Sequence, residues 1–149
     1  MQTIHELKSR QQLAERLGLL TPATPRLWGT MQPAEMLWHL RSQLELALGL
    51  QPLKTDVKSM LRLPPLRWLA IRVMPWPKGS PTAPEMHVRK ANPIVQEFGV
   101  ERELLLRRLE EVAEAKSLGP HPLFGPLSTR LWGFLVWKHF DHHLRQFTV

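Results

Sequence analysis

The amino-acid sequence predicts an all-α protein, a bundle of four main helices, on three observations. Apolar residues recur at steps of three and four over four segments. Prolines, glycines and a serine stand at the ends of those segments. No stretch alternates apolar with polar residues for long enough to build a sheet, and no internal repeat is visible. With 149 residues the chain can bury roughly two thirds of the surface its unfolded form exposes, which favours one domain over residues 1–149.

The first helix is expected from about Gln2 to Gly18, with Ile4, Leu7, Leu13 and Leu17 on its apolar side and Gly18 as its C-terminal cap. The string LLTPATPRLWGT then makes an extended connector, since proline disfavours a helix at itself and before it. A second helix is expected from Pro33 to Leu48, because proline suits the first helical position and Glu35 favours the helix dipole. Met36, Leu37, Leu40, Leu44, Ala47 and Leu48 form its apolar stripe, and Glu35, His39 and Gln43 follow one another at intervals of four along the border of that stripe.

The middle string LKTDVKSMLRLPPLRWLAIRVMPWP reads as one helix interrupted at Pro64 and Pro65, or as two with a kink between them. Five prolines between Pro75 and Pro93 predict a long proline-rich loop. The next helix is expected from Ile94 to Lys116, with Phe98, Leu105, Leu109 and Val112 inward and the charges of ERE and RRLEE on the other face. Ser128 is a good N-cap for a last helix from Thr129 to Phe147.

Composition narrows the chemistry. Zero cysteines removes disulfides, thiolate nucleophiles and cysteine-ligated zinc, leaving His, Asp and Glu as the strong metal ligands. No apolar run approaches the ~20 residues needed to cross a bilayer, and the first residues lack the apolar centre of a secretory signal, so a cytoplasmic location is expected. A Gly-rich phosphate loop, a G-x-S-x-G elbow and a dinucleotide fingerprint are all missing. The only aspartates are Asp56 and Asp141, which speaks against paired-carboxylate catalysis.

The net charge of +7 lies mostly in residues 54–90, where eight Lys or Arg face two acids. Such a segment can attract an anionic small substrate, an anionic lipid surface or a nucleic-acid backbone, and is otherwise a solvated face. Arg62, Arg67 and Arg72 recur there among Leu61, Leu66, Trp68, Leu69, Ile71 and Trp76. No recognised nucleic-acid motif accompanies them, and the tryptophans are read as core or dimer-interface residues.

The last helix carries WKHFDHHLRQF. His139 and His143 are one turn apart on one face, so both imidazoles can reach one ion; His142 is the rival to His143, since a spacing of three also brings side chains together. A third ligand must come from another helix, and His39 is the best candidate, ahead of His5 near a terminus, His87 in the loop and His121 in a turn. Three neutral histidines leave coordination positions open, as catalytic sites do. Gln43, Asp141 and Gln146 lie near enough in sequence to support such ligands. Imidazoles accept zinc or nickel most readily here, with iron or copper also within their range.

The strings RLWGTMQPAEMLWHL, WPKGSPTAPE and HPLFGPLSTRLWGFLVWKHFDHHLRQF, in that order and covering nearly the whole chain, resemble an uncharacterised branch of the DinB-like superfamily. The resemblance implies an up-down-down-up four-helix bundle, a homodimer, and a divalent metal held by one histidine of the second helix and two of the last, which match His39, His139 and His143. It also implies a metal-dependent enzyme, either a transferase that attaches a low-molecular-weight thiol to an electrophile or a hydrolase. The competing expectation is a non-catalytic binding or stress-response module whose metal site is structural or vestigial. The chain departs from the pattern at Gln32, where many relatives carry Ser or Thr, and in its closing QFTV.

Overall fold

A computed structural model describes residues 2–54, 57–80 and 82–149. Thr55 and Asp56, which fall in the expected middle helix and the basic segment, and Pro81 of the proline-rich loop lie outside the described residues. The protein is all-helical. Its helices are α1 (Leu7–Leu19), α2 (Pro33–Ala47), α3 (Pro64–Arg72), α4 (Val88–Ala91), α5 (Phe98–Glu114) and α6 (Thr129–Gln146). Short 3-10 turns occupy Met60–Arg62 and Pro84–Met86. Among the described residues there is no strand, only an isolated bridge between His121 and Gly125, and no helix is long and apolar enough to cross a membrane.

Several boundaries differ from the sequence expectation. Helix α1 starts at Leu7 rather than Gln2, because the preceding residues make a turn against α6: the Glu6 amide donates to the Thr3 carbonyl, the Ile4 amide donates to the Gly133 carbonyl at 3.3 Å and the Ile4 side chain is fully buried. It also runs past Gly18, ending at Leu19 with Leu20 extended. Pro64 and Pro65 do not interrupt the middle helix; they begin it, at the positions where a missing N–H costs nothing. The proline-rich loop is more regular than expected, holding Pro84–Met86 and α4, which stops at Asn92 in the left-handed region with φ 44°. Helix α5 starts at Phe98, where the Glu97 side chain accepts from the Gly99 amide, rather than at Ile94.

Helix α6 lies against α1, α2 and α3, while α2 makes its broadest contact with α5. Trp132, Leu135, Val136, Phe140 and Leu144 of α6 join Met36, Leu37, Leu40 and Leu44 of α2 and Leu105, Leu109 and Val112 of α5 in the core. Not all the α5 charges face solvent. Glu101 is fully buried and takes a two-pronged pair from Arg41 of α2, at 2.8 and 3.2 Å, with a third bond from the Gln96 amide at 2.8 Å. Arg41 also reaches Glu45 at 2.7 Å, and Arg108 links Glu45 to Glu111. The α2–α5 contact is therefore fixed in register by charge as well as by apolar packing.

Gly133 is a close approach rather than a flexible point. A Cβ there would fall 2.5 Å from His5 Cδ2 and from Thr3 Oγ1. Gly133→Ala is expected to destabilise the fold by about 1–3 kcal/mol, as overpacking does. Glu101→Ala, which leaves Arg41 only Glu45 and takes the acceptor of the Gln96 amide, should cost about 1–3 kcal/mol. Glu110→Ala, whose half-exposed carboxylate pairs with Arg10, should change stability by less than about 1 kcal/mol. Urea midpoints of the three variants measure this ranking, and equal losses for Glu101 and Glu110 would contradict it.

Candidate metal centre

Three buried histidines converge between α2 and α6. His139 and His143 point from one face of α6 because they are four residues apart, and His39 faces them from the middle of α2. One nitrogen from each lies within 4.8 Å of the others, and the three ring centroids are 4.7–4.9 Å apart. The Nε2 atoms of His39 and His139 stand 3.0 Å apart.

The outer nitrogen of each ring has its own oxygen. His39 Nδ1 is 2.7 Å from the Met86 carbonyl, His139 Nδ1 is 2.7 Å from Gln43 Oε1, and His143 Nδ1 is 2.9 Å from Gln146 Oε1. The Gln146 amide is oriented in turn by donating from Nε2 to the Trp28 carbonyl at 2.6 Å. Carbonyl oxygens only accept, so each Nδ1 carries the proton and donates, and each Nε2 is left as a lone pair. Three lone pairs then face a common point.

Burial keeps these rings neutral. Desolvation is the main cause in each case: it lowers the pKa of His39 to about 4 and those of His139 and His143 well below the ordinary value, and repulsion from neighbouring imidazoles adds to the effect. Neutral imidazole is the form that ligates a metal. Zn–N bonds of about 2.0–2.1 Å at tetrahedral angles separate ligand nitrogens by roughly 3.3 Å, close to the spacing of the His39–His139 pair. The donor set therefore fits a divalent ion.

The supporting residues differ in part from those the sequence suggested. Gln43 lies one turn along from His39 yet serves His139, while Gln146 serves His143. Asp141 plays no part at the centre; it pairs with Arg16 at 2.9 Å and with Arg145 at 2.9 Å. His142 sits beside the triad, its ring centroid 5.0 Å from that of His143, and lines the same cavity without joining the cluster. His5 and His121 are held elsewhere: His5 lies between the Ala113 and Thr129 carbonyls, and His121 Nδ1 accepts amides of its own turn.

A cavity of about 190 Å³ opens onto the three histidines, with Trp28, Trp76, His87, Arg89 and His142 among its walls. Gly29, at φ +77°, lies against the Gln146 amide, and a Cβ there would collide with it. Trp76, read from sequence as a core or interface residue, packs against the core and also stacks on His139 at 5.0 Å with 24° between the planes. Its signal was present in the flanking Pro75 and Pro77, which pin a large ring on a short loop. The Met86 carbonyl had no signal at all, being backbone.

The basic segment divides. Arg62 donates to the Pro122 carbonyl, Arg67 to the Phe124 and Pro126 carbonyls, and Arg72 lies 4.0 Å over the Phe134 ring. These arginines brace the protein's own turns. Arg89, paired with Glu35 at 2.9 Å, and Lys78, 4.2 Å over the Trp28 ring, stand nearer the cavity.

Among families of known proteins, residues 3–149 match the one described as a protein of unknown function (DUF1569). No curated protein and no solved structure matches the chain.

The unfolded chain protonates its histidines near pH 6.5, whereas the folded triad stays neutral to far lower pH. The unfolded state thus binds more protons between about pH 6.5 and 4, and stability present above that window is lost as pH falls through it. For metal-free protein the loss should be about 1.4 kcal/mol per pH unit for each such histidine. Urea midpoints between pH 7.5 and 4.5 measure it, and a flat profile would contradict the neutral buried triad.

Proposed function

The chain belongs to the DUF1569 family, and from its site we propose a metal-dependent enzyme in which His39, His139 and His143 hold one divalent ion. The observation that carries the reading is the triad's tautomers: three outer nitrogens are tied to oxygens, and three lone pairs converge without a proton among them. Zinc or nickel suits three imidazoles best, with iron as a further fit. Bound, the ion supplies Lewis acidity that brings the pKa of a water or a thiol toward neutrality.

The chain's own residues then have defined tasks. Met86, Gln43 and Gln146 hold the three rings in their ligating tautomer and orientation. Trp76 covers His139 and excludes water from that side. Arg89, in the cavity wall, offers a positive edge to an anionic or thiol substrate, with the His87 imidazole beside it. Helices α1, α2, α5 and α6 correspond in this reading to the up-down-down-up bundle implied by the resemblance to DinB-like proteins. Thiol transfer to an electrophile and hydrolysis are the two reactions the resemblance favours.

A structural or vestigial metal in a binding module is the rival. The open cavity favours an enzyme, since three protein ligands facing open space leave room for a reacting group, whereas structural zinc sites are closed by a fourth protein ligand.

Protein purified without a histidine tag is expected to carry one equivalent of zinc, nickel or iron by elemental analysis. His39→Ala, His139→Ala and His143→Ala should lose it, and His142→Ala should retain it. Gln43→Leu should weaken metal binding roughly 10–100-fold. No metal in the unmodified protein after divalent ions are added back would sink the proposal.

A further inference from the structure

A second cavity, of about 330 Å³, also reaches the His39 and His139 rings. It shares Trp76 and both histidines with the first cavity, but its remaining walls are chiefly apolar, with Leu61, Ala70, Met74, Leu123 and Phe124 prominent. Protein interiors are close-packed and hold few voids larger than a water molecule. An engineered apolar cavity of about 150 Å³ stays dry and takes up benzene. The space here is about twice that size.

Part of the polar lining is already tied to the protein itself. Lys138 donates from Nζ to the Ala70 and Ile71 carbonyls at 2.9 and 3.0 Å, so its charge is held by the last turn of α3. The outer nitrogens of His39 and His139 are taken by Met86 and Gln43. A cationic ligand would find no acidic side chain in these walls, and an anionic one must compete with the Ala70 and Ile71 carbonyls for Lys138.

Three groups of the lining residues keep hydrogen-bonding capacity with no partner among the described residues: Gln43 Nε2, the Thr82 hydroxyl and His121. His121 is 6% exposed, and its Nδ1 accepts the Leu123 and Phe124 amides at 3.1 and 3.4 Å. Its proton is therefore on Nε2, which has no hydrogen-bond partner among the described residues. A carbonyl or ether oxygen on an otherwise apolar molecule would satisfy it.

We infer that this chamber binds a small uncharged molecule, mainly aromatic or aliphatic, carrying only a few hydrogen-bond acceptors. Its ligand class follows from the walls alone. That the ligand is the apolar part of the substrate, divided from the metal-facing cavity by Trp76, rests on the enzyme reading above.

N-phenyl-1-naphthylamine, an uncharged fluorophore, tests this against its anionic counterpart 8-anilinonaphthalene-1-sulfonate. The folded protein should bind the uncharged probe with enhanced emission and the sulfonate at least roughly tenfold more weakly. Ala70→Phe and Ala83→Phe fill the chamber from a helix and from a loop. Each should weaken uncharged-probe binding roughly tenfold or more while metal content by elemental analysis stays that of the unmodified protein. Two variants on different elements, each checked for its far-ultraviolet circular dichroism, guard against a folding failure. No binding of the uncharged probe, equal binding of the two probes, or binding undiminished in both folded variants would overturn the inference. Because probe binding is read without added metal, this result and the metal analysis fail independently.

Discussion

Three neutral imidazoles buried with their lone pairs toward one another form the contact on which the surrounding structure depends. Alone, that contact is unfavourable, and it persists because each ring is gripped from behind. The grips come from three places: a side chain of the same helix as His39, a side chain one turn beyond His143, and the carbonyl that ends the Pro84–Met86 turn. Removing any one would free a ring to rotate or change tautomer. The irregular segments, which carry the Met86 and Trp28 carbonyls, are thus as necessary to the centre as the helices.

The helices are positioned for this by charge as much as by apolar packing. The Arg41–Glu101 pair is buried, and a buried pair constrains geometry more than it adds stability. It holds α5 against the face of α2 away from His39, so that α2 presents its histidine to α6 in one register. Part of the basic excess of the chain is directed inward in the same way. Arg62 and Arg67 hold the carbonyls of the 122–126 turn, and Arg16 reaches both Asp141 and the Val149 carbonyl. A net charge counted from composition therefore overstates what the surface offers a polyanion.

The sequence made the helices and the histidine cluster legible because both have periodic signatures. Spacing of four placed His139 and His143 on one face, and the apolar stripe of α2 placed His39 beside the core. It did not make Gln43 legible as the partner of His139, since that depends on how far α2 is offset along α6. Nor did it show Glu101 as buried, because a charged residue on a helix reads as solvated unless its partner is known. The N-terminal residues read as helical from Ile4 and Leu7, yet Ile4 finds its place across Gly133, a contact between segments far apart in the chain. Each difference is of one kind: local rhythm was visible, and long-range register was not.

The centre also has a place in time. His39 and His139, whose Nε2 atoms nearly touch, are 100 residues apart in sequence, so a ribosome releases one long before the other. While only α1 and α2 have emerged, His39 has neither its facing imidazoles nor the Met86 carbonyl that fixes its tautomer, and an ion meets a single weak ligand. Even with α6 half made, Gln146 and the Leu27 and Trp28 bonds it accepts and donates are still to come. In the proposed metal centre, capture of an ion therefore waits until α6 is complete.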